Sequence, residues 1–248
     1  MDALRQRIIA RCGTANSALH PLNDPATVVA SGRIGQSGLG SQRSIPLFHD
    51  FCPIIGRMCG RYYIEIDYKE LKDILEAVKR RAREYPAETQ MSLKMDGEIF
   101  PSNVVPVQTG VDSYEAMKWG FTAYDGKLLI NARSETALEK PTFRASMLER
   151  RCLIPASGYY EWQTSGNSKT KYRFFLPGQP LYLAGCYRQE KDSPLPSFVI
   201  LTRRPPANIA SIHDRMPVII PPLFTAQWLK DDMAVMEYAL QDLSYEPA

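Results

Sequence analysis

Four short stretches of the chain carry side chains suited to covalent or proton-transfer chemistry. "MCGRY" (58–62) offers the thiol of Cys59 with Arg61 two residues on, and "NARSET" (131–136) offers Asn131 and Arg133 at the end of a predicted strand. "SGYYEW" (157–162) sets Glu161 among aromatics, and "IHDRMP" (212–217) gives His213, Asp214 and Arg215 just ahead of Pro217. A thiol is a nucleophile, and carboxyl and imidazole groups are the common carriers of protons near neutral pH. Each stretch also has an ordinary reading: a buried thiol, a strand-end cap, an exposed strand carboxylate, a histidine in a turn. Spacing alone does not bring the four together.

The Met58-Cys59 pair looks like a translation start, yet it lies well inside the chain as written. The texture changes at that point. Residues 1–57 include the Gly- and Ser-rich run "ASGRIGQSGLGSQRS" (30–44), which has no sustained period of 2 or 3.6. Little there buries enough apolar surface to offset the entropy of ordering a backbone. We therefore expect 1–57 to be a poorly ordered extension, absent from the working protein through initiation at Met58 or removal, and 58–248 to be the functional domain.

After Met58 the elements that must position the chemistry become legible. "YYIEI" alternates like a strand, and Asp67 begins a helix with Glu70 completing a capping box. Leu71, Ile74, Leu75 and Val78 give that helix an apolar stripe at i, i+3, i+4 and i+7, and Pro86 closes the segment. Further strands are expected at "EAMKWGF", "KLLINAR", "CLIPASGYYEW", "YRFFL", "LYLAGCYR" and "SFVILTR", with helices near "TFRASMLERR", "TAQWLK" and "MAVMEYAL". Strands cluster instead of alternating with helices. The pattern predicts an α+β fold with a largely antiparallel, barrel-like sheet core and flanking helices.

Composition narrows the function classes. With 248 residues, 44% hydrophobic and 23% charged, the chain suits one domain plus an appendage and not general disorder. A net charge of +3 excludes a histone-like cationic surface, so a nucleic-acid site must be local. Two basic runs are Lys79, Arg80, Arg81 and Arg83, and Arg203 with Arg204; such runs are commonly solvated faces. Five scattered cysteines without a CxxC pair favour a reducing compartment. His49 and Cys52 have H-x-x-C spacing, but no second pair completes a zinc site, and we expect neither metal nor cofactor. No apolar run spans a bilayer and the N-terminus is a poor secretory signal, so we expect a cytoplasmic protein without membrane contact.

Taken in order, "MCGRY", "PSNVVPV" (101–107), "MKWG" (117–120), "NARSET", "CLIPASGYYEW" (152–162) and "IHDRMPVII" (212–220) resemble the SRAP family of SOS-response-associated, abasic-site-processing proteins, once regarded as peptidases. The resemblance covers 58–248. It implies a monomer that shields abasic sites in single-stranded DNA by a covalent link, at the nucleoid when bound. In that family the leading methionine is lost, and the α-amine and thiol of the new terminal cysteine capture the ring-opened sugar. Carried over, Cys59 is the capturing residue, Asn131 orients it, and Glu161 and His213 handle protons. Arg61, Asn103, Arg133 and Arg215 would contact DNA, with Trp119 shaping the strand's path. After Gly120 the family often continues with an Ile-Pro-type segment, whereas this chain has "FTAYDG" (121–126), which alters one channel wall.

The chemistry explains why a terminal cysteine is required. An abasic deoxyribose is mostly a closed hemiacetal, so an acid and a base are needed to expose its aldehyde. An amine then gives an imine, and the thiolate closes onto the imine carbon as a five-membered thiazolidine. The terminal amine has a reference pKa of about 7.7–8.0 and is partly neutral at pH 7. Arg61 is expected to favour the Cys59 thiolate. Two other functions compete: a peptidase using Cys59, His213 and Asn131 as a Cys-His-Asn set, with its own Met58-Cys59 bond as one substrate, and a plain binder of single-stranded nucleic acid with Cys59 inert.

Overall fold

The computed structural model describes residues 59–248, apart from Asp67, Asp192 and Asp231. The expected extension 1–57, with Cys12, His49 and Cys52, lies outside the described residues, as does the expected helix cap at Asp67. Among the described residues there are fourteen strands: β1 (Arg61–Ile64), β2 (Gly97–Ile99), β3 (Val104–Gly110), β4 (Ser113–Trp119), β5 (Phe121–Thr122), β6 (Leu128–Leu129), β7 (Asn131–Arg133), β8 (Arg151–Ala156), β9 (Gly158–Ser165), β10 (Ser168–Phe175), β11 (Leu181–Gln189), β12 (Pro196–Arg203), β13 (Met216–Pro217) and β14 (Ser244–Pro247). The α-helices are α1 (Lys69–Ala82), α2 (Ala87–Ser92), α3 (Pro141–Glu149), α4 (Ala207–Ala210) and α5 (Thr225–Leu229). None of the described helices is long and apolar enough to cross a membrane.

The strands form the expected largely antiparallel α+β core. One sheet runs in the order β14-β10-β9-β1-β2. A second runs β11-β8-β3-β4-β12 and closes on itself through the β11–β12 pairing, so five strands make a barrel, with β13 and β7 added alongside β12. The pairings of β12 with β4 and β7 are parallel. Closure leaves these strands no free edge and buries both their faces. Along β8, accordingly, every residue is buried: Cys152 and Ile154 pack with Tyr62, Trp119 and Phe198, while Leu153 faces the other way into a cluster with Phe143, Met147 and Trp228.

Several expectations are refined. The stretch 152–162 is two strands, β8 in the barrel and β9 in the open sheet, because the chain changes sheets at Ser157. There the Ser157 N–H donates to the Tyr63 carbonyl (2.8 Å) and its Oγ accepts from the Glu65 N–H (2.7 Å), tying the crossover to β1. Helix α1 buries Leu71, Ile74, Leu75 and Val78 as its stripe predicts, but starts at Lys69 after Tyr68, which supplies no side-chain cap. The segment Met233–Tyr238 is a 3₁₀-helix, opened by the Asp232 side chain accepting from the Ala234 N–H. "FTAYDG" forms most of the β5–β6 hairpin; its fold-back needs Gly120 at φ +115, where a Cβ would lie 2.6 Å from Leu128.

Gly158 begins β9 where sheet crossover and close packing coincide. A Cβ there would sit 2.4 Å from the Phe174 carbonyl oxygen and 2.5 Å from the Tyr63 ring. Gly158→Ala should therefore destabilise the fold by about 1–3 kcal/mol through overpacking. Urea unfolding of the two proteins measures this; equal midpoints would contradict the close approach.

Candidate active site

The site is assembled where β1, β7 and β9 meet the loop before β13. Cys59 lies two residues ahead of β1, which is held between β2 and β9, so its position is fixed by the five-stranded sheet. Asn131 opens β7, which is hydrogen-bonded in parallel beside β12 of the barrel. The Asn131 Nδ2–H donates to the Cys59 carbonyl oxygen at 2.8 Å, a bond between the two sheets that is buried at both ends. Glu161 projects from β9 on the same face as Tyr159 and is only 3% exposed. His213 stands behind it, with Nε2 3.6 Å from Glu161 Oε2, just beyond hydrogen-bonding distance.

The histidine ring is held by its other nitrogen. Nδ1 lies 3.2 Å from the Arg215 backbone N–H, 3.1 Å from the Arg215 carbonyl and 3.5 Å from the exposed Asp214 carboxylate. When Nδ1 accepts from the Arg215 N–H, Nε2 carries the ring proton and turns it toward Glu161; the other tautomer offers Glu161 a lone pair. Either form supports proton exchange between the two groups.

Burial sets the electrostatics. It is the largest cause raising the Glu161 carboxyl group to about 8, assisted by the Asp214 charge and opposed by a hydrogen bond with the Cys59 thiol. Burial also pushes the Cys59 thiol well up, followed by the Glu161 charge and the same hydrogen bond. At neutral pH the pair thus retains protons on both carboxyl and thiol. The expectation that Arg61 favours a thiolate is corrected: its guanidinium is committed elsewhere, 3.4 Å from Glu98 and between the rings of Phe100 (4.5 Å) and Trp162 (4.9 Å). The group that meets the thiol is Glu161, through a hydrogen bond.

Two site residues escaped sequence reasoning. Tyr62 and Tyr159 are directly paired across β1 and β9, both fully buried. Their hydroxyls, Asn131 Oδ1 and Glu161 Oε1 have no hydrogen-bond partner among the described residues. Burial pushes the Tyr159 hydroxyl well upward, with smaller contributions from Cys59 and Glu161 when they ionise. Unpaired buried polar atoms are costly and uncommon, and four of them belong to residues on or beside the Glu161 face of the sheet. The available signal was period-2 alternation, which puts Tyr159 and Glu161 on one face.

The expected DNA-contacting residues divide. Arg133 is exposed and has no ion pair among the described residues, and Arg61 is partly exposed. Asn103 closes a turn, its Oδ1 accepting from the Phe100 N–H at 2.9 Å. Trp119 is not a surface contact: it is fully buried, its Nε1–H donates to the Ile130 carbonyl (2.9 Å), and it packs on Tyr62 and Phe198. Arg215 is likewise not a free phosphate ligand. It is 6% exposed, binds both oxygens of Glu135 at 2.8 Å and donates to the Thr202 carbonyl at 2.6 Å, holding the Glu135 carboxyl down at about 2. A bidentate pair of this kind braces the loop that carries His213.

A buried thiol and acid pinned between a closed barrel and an open sheet define a class, and residues 58–247 match the family model described as SOS response associated peptidase (SRAP). The chain belongs to the SRAP family. Among its relatives, the abasic site processing protein YoaM of Bacillus subtilis is 38% identical over 210 residues, covering 75% of this chain and 85% of the relative. Abasic site processing protein YoqW of the same organism is 32% identical over 209 residues, covering 75% and 86%. A crystal structure of a protein from Bacteroides thetaiotaomicron shares the fold, with TM-score 0.63 at 21% identity over 76% of this chain and 91% of that one.

The raised Glu161 carboxyl carries a stability consequence. Its folded pKa of about 8 exceeds the ordinary 4.5, so the folded state holds the extra proton. The stabilisation from that proton is full below 4.5 and is lost as pH rises through about 8. Glu161→Gln removes the titration while keeping the shape. Relative to wild type it should gain on the order of a few kcal/mol between pH 5 and 9, read from urea midpoints at the two values. A difference independent of pH would show that Glu161 is ionised in the folded protein.

Proposed function

We propose that this protein captures abasic sites in single-stranded DNA as a covalent adduct of Cys59, in a form in which the bond between Met58 and Cys59 is absent. The observation that carries the reading is the Glu161 carboxyl group buried against the Cys59 thiol while Asn131 clamps the same residue's carbonyl and His213 stands behind. Support also comes from the names of the relatives and from the family match, which begins at residue 58.

The steps follow from the groups present. His213 accepts the hydroxyl proton of the closed sugar while Glu161, protonated at neutral pH, gives its proton to the ring oxygen, opening the ring to the aldehyde. The Cys59 α-amine adds to the carbonyl carbon; a C–N bond forms, and water leaves to give the imine. The thiol gives its proton to the Glu161 carboxylate as sulfur bonds to the imine carbon, and that proton passes to nitrogen. The sum is aldehyde plus aminothiol giving thiazolidine plus water. Asn131 keeps amine and sulfur facing one carbon by fixing the Cys59 carbonyl, an orientation effect. Arg133 and Arg61 are the cations placed to hold phosphates. The reading is of a monomer that processes damaged DNA in the cytoplasm, and the names of the relatives support its DNA-damage role.

The peptidase alternative finds less support in the geometry. The Asn131 amide is turned to the Cys59 carbonyl, and the His213 nitrogens face Glu161, Asp214 and the Arg215 backbone, so the Cys-His-Asn hydrogen-bond chain is not formed among these residues.

Incubating the protein, with Cys59 N-terminal, with single-stranded DNA bearing one abasic site should give a heat-stable shifted band on denaturing electrophoresis. Cys59→Ala should abolish it, and Glu161→Gln should slow its formation by about 10²–10⁴-fold. Formation should follow a bell in pH, rising as the amine is freed at about 7.7–8.0 and falling as Glu161 loses its proton near 8. A full-rate adduct from a preparation retaining residues before Cys59 refutes the reading, and peptide cleavage without an adduct would favour the peptidase.

A further inference from the structure

A cavity of about 420 Å³ opens between the end of β12, the segment after β13 and the 3₁₀-helix Met233–Tyr238, and none of Cys59, Asn131, Glu161 and His213 lines it. Its size falls in the range of ligand clefts, about 300–1,000 Å³. Part of its wall is apolar. A 3₁₀-helix repeats every three residues, so Met233 and Met236 stand in line, and both face the cavity. Val235 is buried in the cluster that includes Val199 and Leu201 of β12 and so pins the helix to the barrel, while buried Val218 adds to the apolar wall. Thioether chains are flexible and polarisable, and they mould to apolar groups of different shape.

The remaining wall is positive. Arg203 ends β12 and Arg204 follows it, and both line the cavity. Arg203 Nη1 donates to the Met236 carbonyl at 3.4 Å, and neither guanidinium has an ion pair among the described residues. Of the two carboxylates in the lining, Glu135 is already neutralised by Arg215 at 2.8 Å. That leaves exposed Glu237 against two guanidiniums, a surplus of positive charge beside an apolar wall.

The chemistry of this lining selects its occupant. Single-stranded nucleic acid is held by stacking bases on aromatic rings, and no ring lines the cavity. Apolar surface instead continues along the same 3₁₀-helix to Tyr238, 50% exposed and stacked on Phe224 at 4.9 Å, with Leu223 next in the chain 65% exposed. A contact that runs on past the cavity suits a polypeptide, and methionine, arginine and tyrosine are the residues enriched in protein interfaces. Residues 1–57 of this chain hold three acidic residues and six arginines, so they do not supply an acidic segment.

We propose that this cavity is a docking site for an acidic segment of another polypeptide, whose carboxylates meet Arg203 and Arg204 while an adjoining apolar side chain enters beside Met233 and Met236. The guanidinium fork matches a carboxylate in shape and charge, and arginine clusters are a recurring means of recognising acidic motifs. The site is separate from the capture chemistry and does not depend on it.

Fluorescence anisotropy of a fluorescein-labelled peptide, Glu-Glu-Leu-Phe-Glu-Glu, tests the site. The wild-type protein should bind it saturably, and more weakly as salt is raised. Arg204→Ala should weaken binding about three- to fivefold and Met236→Ala at least about threefold. Replacing the four glutamates of the peptide by glutamine, or its Leu-Phe pair by Ala-Ala, should cost about tenfold in each case. Arg204→Glu should lose the acidic peptide and gain the counterpart Lys-Lys-Leu-Phe-Lys-Lys, a gain that damage to folding cannot produce. The site is overturned by an absence of saturable binding to the wild-type protein at millimolar peptide. Equal affinity for the glutamine peptide, or equal affinity of Arg204→Glu for the acidic one, overturns it as well. If undamaged single-stranded DNA displaces the peptide and itself binds more weakly to both Arg204→Ala and Met236→Ala, the cavity is a nucleic-acid site and the proposal fails.

Discussion

The Glu161 carboxyl group is buried beside the Cys59 thiol, and a carboxylate in that position would forfeit its hydration with no cation against it to compensate. The group therefore keeps its proton through neutral pH, and the surrounding structure has to supply a neutral pocket while still permitting proton exchange. His213 stands 3.6 Å from the acid, and the Cys59 thiol is hydrogen-bonded to it. Neutralising the acid by a salt bridge would stabilise the protein further but would remove the acid as a proton donor. The fold accepts a stability that declines with rising pH in keeping this carboxyl group buried and protonated.

Two sheets divide the work of holding this pocket. The open sheet contributes Cys59 and Glu161 from neighbouring strands, and the barrel contributes Asn131 from the start of β7. The Asn131–Cys59 hydrogen bond joins them. The strand crossover at Ser157 ties the end of β1 to the start of β9 by two further hydrogen bonds. β7 is hydrogen-bonded to β12 of the barrel, so a side chain mounted on it is held more firmly than one on a loop. His213 is the exception, a loop residue, and its loop is braced by the Arg215–Glu135 pair.

The arginines illustrate how burial assigns a role. Arg61, Arg133 and Arg215 are alike in charge and motif context, yet Arg215 is spent on Glu135 and the Thr202 carbonyl, Arg61 is fixed between two rings with Glu98 beside it, and Arg133 stands in solvent. An arginine's availability to phosphate depends on what already occupies its five donors. Trp119 teaches the same lesson for an aromatic: its indole N–H is satisfied by the Ile130 carbonyl inside the core, so the ring is a packing residue.

Local pattern by itself determined the amphipathic helix over Leu71 to Val78, most of the strands and the antiparallel character of the core, because period and turn chemistry are local properties. The resemblance to the SRAP family, not the spacing, implied that Cys59, Asn131, Glu161 and His213 act as one set. What tertiary structure decided was distance and burial. Period-2 alternation assigned Glu161 a face but not which face was covered, and so could not tell an exposed carboxylate from an acid near 8. The division of 152–162 between two sheets, the turning of Arg215 inward and the burial of the Tyr62 and Tyr159 hydroxyls on or beside the acid's face of the sheet arise from contacts between segments far apart in the chain. Such contacts are set by how whole sheets pack, and no local pattern encodes them.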